Sequence, residues 1–192
     1  MQSSFFVSSD LSHNSIKEQS MGDKGYVHVY TGNGKGKTTA AFGLAVRALC
    51  AGKKVYVGQF VKSMAYSETK LTEFFSGLVI EQLGHGCFIY EQATAEDVKA
   101  ALAGLKRCEE VLQSNQYDVV ILDELTIALY FKLFSVFTVL DILDARPPQI
   151  EVIITGRYAP KELLDYADLV TEMQEVKHYY TQGVLSRKGI DK

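Results

Sequence analysis

TGNGKGKTT, from Thr31 to Thr39, packs three glycines, two lysines and three threonines into nine residues. It stands between a short apolar run, Tyr26–Tyr30 (YVHVY), and a segment rich in Ala and Leu. A buried strand that feeds a glycine-rich turn and then a helix makes an anion site. The turn presents backbone N–H groups, and the helix N-terminus adds its unsatisfied donors and partial positive charge. Glycine lets the backbone close on phosphate oxygens with no Cβ in the way. In that setting Lys37 reaches phosphate oxygens, and the Thr38 hydroxyl is placed to ligate Mg²⁺. The spacing GxxxxGK[ST] is met with one displacement, Thr31 holding the first position and Gly32 following it. A plain glycine-rich turn carrying surface lysines would explain the composition, but not the strand before it and the helix after it. Gly32, Asn33, Gly34, Lys35, Gly36, Lys37, Thr38 and Thr39 are therefore the candidate phosphate cradle.

A second stretch supports the first. Val119–Leu122 (VVIL) runs into Asp123 and Glu124. Alone, an apolar strand ending in a polar cap is the blander reading. Paired with a phosphate loop, the strand-end carboxylate is what holds Mg²⁺ or its water shell. Thr38 and Asp123 are thus the candidate metal ligands, for Mg²⁺ or Mn²⁺. Glu124 stays open between the metal's outer shell, a base and a contact to a second substrate. Lys37 and Glu124 are the candidate catalytic residues.

Between and beyond these stretches, apolar runs alternate with helical patterns. Strands are expected at Tyr26–Tyr30, Val55–Phe60, Leu78–Leu83, Val119–Leu122, Ile150–Ile154 and Leu169–Met173. Most are rich in Val and Ile and apolar at consecutive positions, as strands covered on both faces are. The spacing predicts a helix over Thr38–Ala51 with Phe42, Ala45, Val46 and Leu49 on one stripe and Gly52 as its stop. Thr94–Asp97 reads as a capping box opening a helix to about Ser114. Its core stripe is Val98, Ala101, Leu102, Leu105, Cys108, Val111 and Leu112. Ser135 caps a further helix, and Pro160 suits the start of another, Lys161–Tyr166. Strands alternating with helices imply an α/β fold: a mostly parallel sheet with helices on both faces, a three-layer P-loop (RecA-like) architecture. One domain is expected over residues 25–192. Residues 1–24, serine-rich and without periodicity, read as a flexible N-terminal extension.

Composition narrows the function classes. The chain has 192 residues, of which 47% are hydrophobic, and a formal net charge of −3, so a general nucleic-acid surface is not expected. The three cysteines are widely spaced, which suits a reducing cytoplasm and argues against a disulfide framework. No apolar run approaches the length of a membrane span.

TGNGKGKTTAAFGLAVRA, YDVVILDELTIALYF, ITGRYAPKELLDYADLVTEM and EVKHYYTQGVLSRKGI together resemble the P-loop ATP:corrinoid adenosyltransferases. The likeness runs from about Tyr26 to Ile190. It implies that the substrates are ATP and a reduced corrinoid, cob(I)alamin or cob(I)yrinic acid a,c-diamide. Co(I) would attack C5′ of ATP and expel triphosphate, so the reactive centre belongs to the substrate and the protein supplies placement and charge neutralisation. By the same resemblance the nucleotide lies reversed in the loop. Arg47 and Arg157 become candidates for further nucleotide or phosphate contacts, against readings as a solvated helix arginine and a strand-end arginine. A homodimer and a reduced flavoprotein as electron donor are family expectations; residues 131–140 are more apolar than one helix face can bury, which places Phe131 or Phe137 at an oligomer interface.

The corrinoid side departs from the family pattern. Where the better-known branch has Phe-Thr-Trp after a glycine-rich turn, this chain has no Trp and reads Gly84-His85-Gly86-Cys87-Phe88-Ile89-Tyr90. Phe88 and Tyr90 carry over as the apolar face toward the corrin, and Cys87 and His85 read as turn residues. His178–Tyr180 reads as a packed C-terminal segment with a second possible role of closing over the corrin. Two rival functions stay in view: a small-molecule kinase or generic P-loop ATPase, and a non-catalytic nucleotide-dependent corrinoid-binding protein. A kinase lid needs arginines, and the segment after the second strand offers Lys62 and Lys70 instead.

Overall fold

Alternation inside the apolar runs builds the layers. In Val119–Asp123 the side chains of Val119 and Ile121 join a core with Ala41, Phe42 and Ala45, while Val120 and Leu122 join another with Ala101, Leu105 and Leu125. In the computed structural model the described residues are 24–61, 66–84 and 93–191. Six strands, β1 (Val27–Thr31), β2 (Val55–Gln59), β3 (Leu78–Gln82), β4 (Val119–Asp123), β5 (Glu151–Thr155) and β6 (Leu169–Glu172), form one sheet in the order β3-β2-β4-β5-β1-β6. Every neighbouring pair is parallel. The sheet is therefore wholly parallel where the sequence predicts it mostly so.

Parallel crossovers are right-handed, so reversing their direction along the sheet puts helices on opposite faces. The connections β1 to β2 and β2 to β3 run toward one edge. They carry α1 (Lys37–Cys50) and a 3₁₀ turn, Ser67–Glu73. Those from β3 onward run toward the other edge and carry α2 (Ala95–Gln113), α3 (Leu125–Tyr130), α4 (Val136–Asp144) and α5 (Lys161–Tyr166). Ligands in such sheets sit at the carboxyl ends of the strands, where the direction reverses.

Local chemistry sets most boundaries. Thr94 and Asp97 form the expected reciprocal capping box, and the Ser135 hydroxyl accepts from the Phe137 N–H. Two stripes differ from expectation. On α1 the buried face is Ala41, Phe42, Ala45 and Ala48, with Val46 and Leu49 half-buried at its margin; small alanines let this helix lie close on the sheet. On α2 the expected core position Leu102 is exposed. The α3 turn carried no sequence signal, because Leu125–Tyr130 is apolar nearly all round and shows no helical phase. Residues 1–23 of the extension expected at 1–24, and the segment holding His85, Cys87, Phe88 and Tyr90, lie outside the described residues, as does Lys62.

Candidate active site

The loop after β1 rests against the chain that leaves β6. Gly32 has φ 94°, and a Cβ there would lie 2.4 Å from the Met173 carbonyl oxygen. The glycine of the phosphate pattern is displaced to position 32 because the tight approach falls there. Gly34 N–H donates to the same carbonyl at 2.6 Å, and Met173 N–H donates back to Thr31 O at 2.8 Å. The first turn of α1 holds no acidic residue, and its N-cap, Gly36, has no side chain to spend on the free N–H groups. These donors are left for an anion.

Lys37 is buried and folds back over the loop. Its Nζ donates to Gly32 O at 2.8 Å and to Gly34 O at 2.7 Å. Burial lowers its pKa, the Arg157 charge lowers it further, and the Glu124 carboxylate pulls the other way. Arg157 reaches the same loop, donating from Nη2 to Asn33 O at 3.3 Å. Arg47 sits in the last turn of α1, about 15 Å along the helix from Lys37 at 1.5 Å per residue, and it does not line the loop cavity. There its charge complements the helix C-terminus.

A polar row closes the sheet under the loop. Gln59, Asp123 and Thr155, the last residues of β2, β4 and β5, are all fully buried. Asp123 Oδ1 accepts from the Thr38 hydroxyl at 2.8 Å and from the Thr155 hydroxyl at 2.6 Å, and Oδ2 accepts from Gln59 Nε2 at 3.1 Å. Beyond it Glu124 adopts a left-handed conformation, φ 60°, with its N–H bonded to Thr155 Oγ1 at 3.0 Å. That turn sends its carboxylate toward the cavity shared with Lys35, Thr38 and Thr39. Gln59 and Thr155 were not among the sequence candidates. Their signal was a polar residue ending an apolar run, in VYVGQ and VIIT.

These residues fit a small hard cation that arrives with phosphate. Among the described residues no three His, Cys, Asp or Glu side chains cluster as a self-sufficient metal site. Mg²⁺ needs none, being held by one or two carboxylates together with substrate phosphates and water. The donor set of Thr38, Asp123 and Glu124 is all oxygen. Buried beside it, Gln59 Oε1 has no hydrogen-bond partner, an acceptor suited to a metal-bound water.

The C-terminal chain covers the loop from the front. Lys35 Nζ donates to Asp191 Oδ1 at 2.5 Å and to Ile190 O at 2.8 Å. Asp191 also accepts from the Tyr179 hydroxyl, and from Arg187 N–H at 3.0 Å and Nε at 3.2 Å. The Lys35 ammonium and then the Tyr179 hydroxyl hold its carboxyl well below the usual aspartate range. Gly34, Lys37, Thr38, Arg157, Tyr179 and Asp191 line a cavity of about 360 Å³. Another, of about 660 Å³, lies between β3 and α2 and shares none of these residues. His178 and Tyr180 border the loop cavity too. Asp191 had no sequence signal, since nothing in its spacing relates it to a loop some 150 residues earlier.

A family model described as ATP:corrinoid adenosyltransferase BtuR/CobO/CobP matches residues 23–191. The corrinoid adenosyltransferase CobA of Salmonella typhimurium is 40% identical over 175 residues, covering 90% of this chain and 88% of that protein. The corrinoid adenosyltransferase of Escherichia coli K12 is 38% identical over 174 residues, 90% of this chain and 88% of its own length. That of a Sinorhizobium species is 36% identical over 173 residues, 88% and 81% of the two chains.

Proposed function

The chain belongs to the ATP:corrinoid adenosyltransferase family, and from that membership we propose that it transfers the 5′-deoxyadenosyl group of ATP to the Co(I) centre of a corrinoid. The cobalt electron pair forms the bond to C5′. The C5′–O bond breaks, and its pair leaves on triphosphate. The product serves the making or salvage of adenosylcobalamin. The observation that carries this reading is the convergence of Lys35, Lys37, Arg157 and the α1 N-terminus on one cavity.

The protein's own part is to bind, aim and neutralise. The loop N–H groups and Lys37 hold the phosphate chain, and Arg157 and Lys35 add charge where the leaving group develops it. Thr38, with Asp123 and Glu124, would hold Mg²⁺ or Mn²⁺, whose charge further stabilises the departing triphosphate. Phe88 and Tyr90 are proposed to face the corrin and keep its lower ligand away. We further propose a homodimer, a reduced flavoprotein as electron donor, and a cytoplasmic setting. Among the described residues no helix is long and apolar enough to cross a membrane. For the dimer, Phe137 is the better of the two expected contacts: it is 62% exposed, while Phe131 is half-buried against the core.

Product analysis tests the reading. With ATP and chemically pre-reduced cob(I)alamin, the expected products are adenosylcobalamin and triphosphate. ADP with a phosphorylated product would make the protein a kinase, and binding without products would make it a carrier.

A further inference from the structure

We infer that Thr155 is a positioning residue for the metal side of the nucleotide site, acting through Asp123 and Glu124. Its one hydroxyl makes two bonds of opposite sense, donating to Asp123 Oδ1 at 2.6 Å and accepting from Glu124 N–H at 3.0 Å. The first bond fixes the carboxylate oxygen that also accepts from Thr38, at 2.8 Å. Thr38 Oγ1, in the first turn of α1, is thereby oriented through Asp123 by a hydroxyl at the end of β5. The second bond holds the backbone of Glu124 at φ 60°, a conformation that a non-glycine residue adopts only when its surroundings enforce it. That conformation aims the Glu124 side chain at the cavity shared with Thr38. Gln59 completes the clamp from β2, donating to the other Asp123 oxygen at 3.1 Å.

The row spans three adjacent strands and is fully buried, so its geometry is set by the sheet and does not depend on mobile side chains. Partners of metal ligands that fix ligand orientation govern metal affinity while touching no metal themselves. Thr155 has that relation to both carboxylates at once. Valine has the shape of threonine without the hydroxyl, so Thr155→Val removes both bonds with little change in packing. Serine keeps both.

The inference rests on the proposed nucleotide site. Its test reads Mn²⁺ affinity of the protein–ATP complex, from the electron paramagnetic resonance signal of free Mn²⁺, beside metal-free ATP affinity by calorimetry. Thr155→Val is expected to weaken Mn²⁺ binding about tenfold or more. It should leave metal-free ATP binding close to wild type, and Thr155→Ser should restore most of the loss. Thr155→Ala carries the same expectation should the valine protein fold poorly. Unchanged Mn²⁺ affinity in Thr155→Val overturns the inference, as does a Ser variant that loses as much as Val. Equal losses with and without metal, or failure of both Val and Ala variants to fold, would make Thr155 only a core residue. Wild-type protein that makes no adenosylcobalamin would defeat the proposed reaction while leaving the Mn²⁺ comparison to decide Thr155.

Discussion

Lys37 shows how one side chain serves both fold and function. Its ammonium braces the loop through Gly32 O and Gly34 O, and in the proposed reaction the same charge faces the triphosphate. Lys37→Ala is expected to cut adenosylation by about a hundredfold or more, the scale seen when one preorganised donor to a developing anion is lost. The variant should still fold, with a modest fall in Tm from the two lost loop bonds, since no apolar core is removed. Full turnover in a well-folded variant would remove Lys37 from the mechanism. Its pKa gives a sign that can be checked. Burial and Arg157 lower it, and bound triphosphate must raise it again, so nucleotide binding takes up a proton on the alkaline side. ATP affinity should therefore fall as pH climbs through the lowered pKa, starting below the ordinary lysine value of about 10.4. Calorimetry at alkaline pH in buffers of different ionisation enthalpy measures the uptake. No dependence on buffer would place another group against the phosphates.

At the scale of the elements, two glycines near each other in sequence carry opposite expectations. A Cβ on Gly34 would meet the carbonyl oxygens of Met173 at 2.7 Å and Gln174 at 2.8 Å, both backbone, while one on Gly43 meets nothing within 4 Å. Gly34→Ala must push the loop away from the chain after β6, so nucleotide binding should be lost along with some stability. Gly43 lies exposed inside α1, where alanine is worth roughly 0.5–1 kcal/mol over glycine. For a chain of this size that is about 1–4 °C in Tm. Thermal unfolding of the two variants, with ATP titration of each, checks both signs. A Gly43→Ala variant that melts lower would show that this face of α1 is covered by something else.

Across the whole molecule, the last residues of the chain lie on one of the first loops. Asp191 and the triphosphate of the proposed reaction are both anions that suit Lys35, so under that proposal they compete. Lys35 is partly exposed and Asp191 largely covered, so the pair sits at the surface, where screening keeps its effect small. Asp191→Asn is then expected to lower the KM for ATP by about two- to fivefold, the modest change expected of one screened surface pair. A higher KM would instead make Asp191 part of the nucleotide's own contacts. Because its carboxyl titrates below the usual aspartate range, the clasp is fully present above about pH 4, the ordinary aspartate value. It is lost only as pH falls from there toward the lowered value. Limited proteolysis of the C-terminal segment across that range follows it directly. The exposed Phe137 belongs to the same scale: Phe137→Glu should shift a dimer toward monomer in sedimentation, and an unchanged mass would move the interface elsewhere.

Periodicity and spacing determined much of this by themselves. The six strands, the phosphate loop, the Asp123–Glu124 strand end and the caps at Thr94 and Ser135 are local statements. Each is written in neighbouring residues by alternation, turn chemistry or side-chain reach, so each was legible before any fold was known. Gly32 was legible as an irregularity, though its cause, the carbonyl of Met173, was not. What needed tertiary structure was every relation between distant segments. The strand order brings Thr155 and Gln59 to either side of Asp123. The path after β6 brings Asp191 to Lys35 and Met173 to the loop. The length of α1 carries Arg47 away from the phosphate cradle, while the end of β5 brings Arg157 to it. Such pairings depend on which strands become neighbours and where the chain turns back, and both are decided by the packing of two cores against one sheet, a sum over the whole chain that no short stretch of sequence contains.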